Sequence, residues 1–326
     1  MHCLMCGSPC NGHPIFSVTD RLDMARGRYD VLRCPSCGSV RVSPMPSDDE
    51  LAGMYPTGYN FKIEPSDHGF SRALKTVEWH AFYRPILKRN YRLISRIVGR
   101  AAFSVLDIGC GSGLRLEIFK EAGCDVEGNE TSAACVSYIR DRCAIPIHEG
   151  RIETLDIKRQ YDVVTLFALL EHLADPVPVI RAVHKLLKPG GKVIIQVPVV
   201  DSIQFKMLGK RAAMVNDMPR HVFIPSLAGL IGFMRKQGFK LHTRYPVSVF
   251  ERATLCALGL MPSSATPVAY RESLMGKMVV RIAGWALTVF PGLAVAALES
   301  FTGVGAEIIS VFEKCENDDE TITPGK

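Results

Sequence analysis

The sequence lacks four features that would each have fixed its class early. It lacks the look of a secretory leader: the opening MHCLMCGSPCNGHP carries neither a basic start nor an apolar core, so no secretory signal is expected there. It has no apolar run of spanning length: residues 282–298 are 17 without a charge, but Pro291 interrupts them and Arg281 precedes them. A bilayer span wants about 20. It lacks the dinucleotide fingerprint G-x-G-x-x-G: glycines stand at 109, 111 and 113, so the third is one place early and Leu114 fills the expected slot. It also lacks a disulfide framework. Of eleven cysteines, seven are scattered and four form two close pairs, the pattern of a reducing, cytoplasmic setting with a metal site.

What is present is ordinary globular composition, 47% apolar and 22% charged over 326 residues, enough for one large domain with additions or for two. The net charge of +6 is unevenly placed. Arg72, Lys75, Arg84, Lys88, Arg89, Arg92, Arg96 and Arg100, opposed only by Glu78, give residues 71–100 a net +7. Such a stretch could face the phosphates of a nucleic acid, an anionic lipid or a diphosphate-linked substrate, or be a solvated helix face.

Residues 1–47 are short of helical periodicity and hold the knuckles CLMCG and CPSCG. Two sulfurs at i and i+3 on a tight turn take two corners of a tetrahedron, and the following glycine relieves the backbone. Cys3, Cys6, Cys34 and Cys37 therefore predict a closed structural Zn2+ site in a small zinc-ribbon-like module, with Cys10, His2 and His13 as substitute ligands. A redox role is disfavoured, because no thioredoxin-like unit surrounds the motif.

Residues 48–100 read as a helical linker or cap, opened by the capping box Ser47–Glu50 and divided at Pro85. Over residues 101–250 strand and helix alternate: SVLDI, DVEGN, AIPIH, YDVVTLF, GKVIIQVPV and FKLHTRYPVSVF read as strands. GAEIISVFEK, within 305–315, reads as a last one. Near-continuously apolar strands separated by helices predict an α/β fold whose parallel sheet is covered on both faces. Residues 251–304 form an apolar helical insert before the last strand, either a lid over the site or a membrane-facing cap, and 316–326 an acidic disordered tail.

The pattern Asp107, Gly109, Gly111, Gly113 resembles motif I of the class I S-adenosylmethionine-dependent methyltransferases. VEGNETS, YDVVTLFALLEHLADP, LLKPGGKVIIQVP and RHVFIPSLAGLIGFMRKQGF are similar to later parts of that family, in order, over about residues 104–250. The resemblance implies a Rossmann-like seven-stranded sheet and S-adenosylmethionine as cofactor. It implies that Asp107 and the backbone of Gly109, Cys110, Gly111 and Gly113 take the methionine half. Glu130 would take the ribose hydroxyls, since a carboxylate accepts two hydrogen bonds from a vicinal diol, with Thr131 and Phe167 also at the cofactor. The acid common near the adenine is replaced in HEGRIETLD, which leaves Arg151 and Ile152 there. The knuckles followed by VRVSPMPSDDELAGMYPTGY are similar to the zinc-binding module of a bacterial methyltransferase group that modifies sugars and other secondary metabolites. That implies O- or C-methylation of a small-molecule or glycan-like acceptor, a lipid- or nucleotide-linked sugar included.

With the methyl group already activated, the protein has to align a nucleophile and, where needed, remove its proton. Candidate bases belong at the carboxyl ends of the strands. His172 and His221 fit, with Glu171 orienting one of them, whereas His148 and His184 look structural. Tyr55 and Tyr59 could close over the cofactor. Two other functions stay open. Zinc plus a basic stretch fits an RNA methyltransferase, although the loop FALLEH lacks the D/N-P-P-Y form used on nucleobase amines. A non-catalytic binding module could also retain the fold. Peripheral membrane contact through 251–304 is a further expectation.

Overall fold

The computed structural model describes residues 2–10, 13–20, 24–55, 69, 73, 76, 77, 79–260 and 274–315, with backbone alone over 274–286. Tyr59, Arg72, Lys75, Glu78, the middle of the insert and the acidic tail lie outside the described residues.

Strands β4 (Ser104–Ile108), β5 (Asp125–Glu130), β6 (Ile147–Glu149), β7 (Tyr161–Phe167), β8 (Leu187–Pro198), β10 (Phe239–Pro246) and β11 (Glu307–Lys314) form one sheet. Its order is β10-β11-β8-β7-β4-β5-β6, with β11 antiparallel to both neighbours. The sheet and its helices give the α/β architecture expected from the alternating pattern. Every residue of β4 is buried, as a parallel strand covered on both faces requires. Leu106 and Ile108 enter one core and Val105 the other, following the period of two.

Helices α3 (Leu114–Glu121) and α4 (Ala133–Arg142) follow β4 and β5, and α5 (Pro176–Leu186) follows β7 with Asp175 as its N-cap. One boundary agrees with the sequence reading and one differs. The linker helix divides beside Pro85, where a π-helical turn at Trp79–Tyr83 gives way to α2 (Arg84–Val98), with Pro85 in its first turn. Proline is tolerated there because the first-turn N–H has no intrahelical partner. The string KPGG is not a turn before β8 but lies inside it. Gly190 has φ +68° and a Cβ on Gly191 would lie 2.8 Å from the Lys188 carbonyl, so the glycines let the strand bend without ending.

The N-terminal region makes a second, antiparallel sheet of β1 (Pro14–Val18), β2 (Tyr29–Arg33), β3 (Val40–Ser43) and β9 (Phe223–Ile224). Its fourth strand comes from the other side of the chain, in the register Val40↔Ile224 and Arg41↔Phe223. Helix α7 (Leu227–Lys236) continues the join: the Ser226 N–H donates to Ser39 Oγ at 2.9 Å, and Lys236 Nζ to the Cys6 carbonyl at 2.9 Å. Met5, Val31 and Val42 share a core with Val222, Phe223, Leu230 and Phe233. A common core of this kind makes the two parts fold as one body.

The insert supplies α8 (Val249–Leu260) and α9 (Leu274–Thr302). They meet through small residues, since a Cβ on Gly292 would lie 2.5 Å from the Ala253 carbonyl. Arg252 Nη1 donates to the Ala296 carbonyl at 2.7 Å, and the buried Glu299 takes two hydrogen bonds from Gln204 of α6 (Ile203–Leu208). The outer face of α9 is different. Leu287, Phe290, Leu293, Leu298 and Phe301 are all exposed, Phe301 at 90%. No helix among the described residues is long and apolar enough to cross a membrane.

Candidate active site

The chain leaves β4 through a turn that only glycine adopts easily, with φ of +68° at Gly109, +56° at Gly111 and +79° at Gly113. The N–H groups of Gly109 and Cys110 both reach the Asn129 carbonyl, at 2.9 and 3.1 Å. Glu130 then clamps the turn. One carboxylate oxygen accepts the Gly111 N–H at 2.8 Å, and the other accepts Thr131 and Ser132 N–H at 2.8 and 2.9 Å. Three backbone donors on one carboxylate tie the ends of β4 and β5 together.

Asp107 lies beneath this turn. Its Oδ1 accepts the Thr165 hydroxyl at 2.6 Å, while its buried Oδ2 has no hydrogen-bond partner among the described residues. Burial pushes its carboxyl up, and Arg115 Nη1, 3.9 Å away, works against that. An orphaned buried carboxylate oxygen fits a cationic ligand group. The Arg115 guanidinium sits 3.7 Å from the centre of the Phe167 ring, so Phe167 presents one face to arginine. Cys110 turns its sulfur inward, where a Cβ on Gly128 would meet it at 2.9 Å, and offers the turn only backbone. Arg151 is engaged by Asp48 and by Glu153, the latter at 2.6 Å, beside the buried Ile152.

His172 closes a 3-10 turn, Leu170–His172, just past the carboxyl end of β7, the strand next to β4. The Tyr55 hydroxyl is 2.9 Å from its Nδ1, and the ring donates to the backbone of Arg220. The His221 ring lies edge-on at 4.7 Å between centres. His221 Nδ1 donates to the Met214 carbonyl at 2.7 Å, which leaves Nε2 of the neutral ring as a lone pair. That lone pair faces Asp217 Oδ2 at 3.6 Å and Glu171 Oε1 at 3.9 Å. Three acceptors gathered this way need a shared proton between them.

Burial sets the charge states. It pushes His172 down to about 3, helped by His221, and lowers His221 as well. It holds Glu171 well above the ordinary carboxyl range. Among the described residues nothing hydrogen-bonds Glu171 Oε2, which is buried. The cluster thus favours neutral imidazoles beside a carboxyl that resists ionising, and the ring nitrogen left with a lone pair is His221 Nε2. Glu307 of β11, which accepts from Gln196 Nε2 at 2.7 Å, borders the same site, and its carboxyl is raised by burial. The charge of Glu251, in the first turn of α8, acts on both Glu307 and Arg115, so the insert's first helix borders the site too.

The profile of the methyltransferase domain matches residues 79–244. The chain belongs to the methyltransferase family. Its sheet and glycine turn are those expected of the class I, S-adenosylmethionine-dependent members. Curated relatives include a ubiquinone biosynthesis O-methyltransferase of Pseudomonas aeruginosa (strain UCBPP-PA14), 37% identical over 109 residues, 31% of this chain and 47% of that protein. Another, of Acinetobacter baylyi, is 31% identical over 148 residues, 40% of this chain and 61% of that protein. The chain spans about half the length of the curated relatives it matches. Among solved structures, coclaurine N-methyltransferase bound to N-methylheliamine and SAH aligns with TM-score 0.46 and 14% identity over 79% of each chain. CalS10, an amino pentose methyltransferase from Micromonospora echinaspora, aligns with TM-score 0.32 and 26% identity over 40% of this chain and 58% of that chain.

The chain's four paired cysteines come together from the segment before β1 and the β2–β3 connection. Cys3 and Cys37 sulfurs are 3.6 Å apart, Cys6 and Cys34 sulfurs 3.5 Å, and all four lie within 4.8 Å of one another. A tetrahedral zinc with bonds of about 2.3 Å needs sulfurs about 3.8 Å apart. Both knuckles are built alike: Gly7 N–H donates to the Cys3 carbonyl and Gly38 N–H to the Cys34 carbonyl, each at 2.9 Å. His2 is turned to the Gly7 carbonyl and Cys10 is buried alongside.

Sequence reasoning found the two histidines but missed Asp217, Arg220 and Arg115. The signal for the first two was the string DMPRH, in which Asp217, Arg220 and His221 fall at i, i+3 and i+4. The basic stretch is partly consumed within the fold: Arg84 and Lys88 both pair with Glu121, and Arg100 pairs with Asp162 at 2.6 Å.

Proposed function

We propose that this methyltransferase moves a methyl group from S-adenosylmethionine to a hydroxyl or carbon of a small-molecule or glycan-like acceptor, a lipid- or nucleotide-linked sugar included. The observation that carries the reading is the placement of His172, His221, Glu171 and Tyr55 at the end of β7, one strand from the glycine turn that ends β4. The curated relatives are named O-methyltransferases, which favours oxygen as the acceptor atom.

When bound, the cofactor supplies a methyl group made electrophilic by its sulfonium. Asp107, with an unpartnered oxygen, and the backbone of Gly109, Cys110, Gly111 and Gly113 would hold its methionine end. Glu130 and Thr131 would meet its ribose, Ile152 and the stem of Arg151 its adenine side, and Phe167 would wall the pocket with Arg115 behind it. His221 Nε2 takes the acceptor proton, and Asp217 offsets the charge that forms, with the neutral Glu171 carboxyl beside it. His172 is held by Tyr55 on one side and the Arg220 backbone on the other, which fixes its ring against His221. Cys3, Cys6, Cys34 and Cys37 would hold Zn2+ in a closed, structural site with no position open for chemistry.

The insert supports a divided role. Helix α8 lines the acceptor side through Glu251, while the exposed apolar face of α9 offers a peripheral membrane contact. Calorimetry with S-adenosylmethionine on the wild type and on Gly111→Arg tests the core of the reading. Binding by the wild type and not by the variant is expected; binding by neither overturns it.

A further inference from the structure

Asp20 lies in the N-terminal module, 200 residues from the histidine loop, yet it is wired to that loop through buried charge. Its Oδ2 accepts the Met24 and Ala25 N–H groups at 2.9 Å each, and its Oδ1 accepts Arg220 Nη1 at 2.9 Å. The side chains of Asp20 and Arg220 are fully buried. Arg220 Nε in turn donates to Asp217 Oδ1 at 2.9 Å. The remaining Asp217 oxygen, Oδ2, is the one 3.6 Å from His221 Nε2. The backbone runs the same way: Val42 N–H of β3 donates to the Val222 carbonyl, and Val222 N–H to the Glu171 carbonyl, each at 2.9 Å. The loop bearing His221 is thus held between the N-terminal module and the catalytic cluster.

We propose that Asp20 and Arg220 are positioning residues, through which the N-terminal module sets the orientation and the charge surroundings of His221. The inference rests on the reading of His221 as the base. The charged and titratable groups facing His221 are Asp217, Glu171, His172 and Arg220. Along this hydrogen-bonded path, among the described residues, one guanidinium stands between two carboxylates, so the path itself carries one negative charge in excess. The excess falls on the Asp217 oxygen turned to the nitrogen that takes the proton. Without the charge on Asp20, Arg220 would neutralise Asp217 and the imidazolium would lose its counter-charge.

The test is a histidine NMR titration of the full chain, joined to calorimetry with S-adenosylmethionine and turnover. Asp20→Asn keeps an oxygen for the Met24 and Ala25 amides but removes the charge. Its His221 should titrate at lower pH than in wild type and its kcat should fall about tenfold, part of what a general base contributes. Cofactor affinity should be unchanged. Asp20→Asn combined with Arg220→Gln removes both charges in balance, which spares folding better than stranding either one. Here His221 should titrate at higher pH than in wild type, because the Arg220 charge no longer opposes that of Asp217. A purely structural pair would move the titration in neither variant, and that result overturns the proposal. The base assignment fails separately: if His221→Gln keeps full turnover, it falls whatever the titrations show.

Discussion

Glu130 Oε2 accepts the Gly111 N–H at 2.8 Å, so the acid that ends β5 shapes the turn that ends β4. The two features that the family resemblance assigns to opposite ends of a cofactor are one hydrogen-bonded unit. Glu130→Gln would put an amide donor against backbone donors on at least one side. Such charge-assisted bonds contribute about 1.5–3 kcal/mol each. S-adenosylmethionine affinity should fall at least about tenfold, measured by calorimetry. Retention of wild-type affinity would mean that the turn is held by its glycines alone.

Tyr55 and His172 should separate binding from turnover. Tyr55→Phe removes only the hydroxyl at His172 Nδ1. It should lower kcat with cofactor affinity intact, while His172→Gln should cost more, toward the about 100-fold scale of general base catalysis. Equal turnover in wild type and both variants would remove His172 from the mechanism.

The pH dependence of stability carries two opposite signs. The His172 imidazole is pushed down to about 3 from an unfolded value of about 6.5, so its contribution is present above the unfolded value and lost as pH falls between the two. Glu171 is raised, so its contribution is present below the ordinary carboxyl value and lost as pH rises. Thermal unfolding over a pH series should therefore show Glu171→Gln gaining on wild type as pH rises above about 4.3. His172→Gln should flatten the acid-side loss. A Glu171→Gln difference independent of pH would show that burial does not raise this carboxyl above its unfolded value.

Metal analysis should find one zinc per chain, absent in Cys34→Ser. Chelation should lower the melting temperature and speed amide exchange at Ile224, because β9 pairs with the module that the four sulfurs close. Unchanged exchange at β9 after complete metal removal would dissociate the cluster from the join.

The α9 face should be testable without touching the site. Flotation with anionic vesicles should carry the wild type more than a Phe290→Ser, Phe301→Ser variant, both residues being exposed at 73% and 90%. Equal recovery of the two would end the membrane reading of that face.

Much of this was legible in the sequence because it rests on local rules. Apolar strand runs gave the sheet, and the glycine spacing gave the turn. Ser47 and Glu50 formed the capping box read for them, with mutual bonds at 2.7 and 3.3 Å. The histidines at 172 and 221 stood out because strand ends are where open sheets place ligands. What stayed hidden was long-range. Phe223–Ile224 is too short to read as a strand and exists as one only because Val40 and Arg41 lie beside it. Asp20 and Arg220 look like surface charges until a fold buries them against each other. KPGG reads as a turn because glycine pairs commonly make one; the chain does bend there, with Gly190 at φ +68°, but the β8 ladder holds on both sides of the bend, at Leu187 and again from Lys192.

The two-residue strand β9 also limits where the protein can be cut. A truncation that discarded the first 46 residues would look clean on paper, since it ends before Ser47, the cap of the next helix. It would strip the partner from Phe223 and Ile224, uncover Leu230 and Phe233, and leave a bare hydrophobic edge beside the histidines. The product would be a sticky fragment rather than a minimal catalytic unit, so the small module behaves less like an accessory than like the back wall of the reaction chamber.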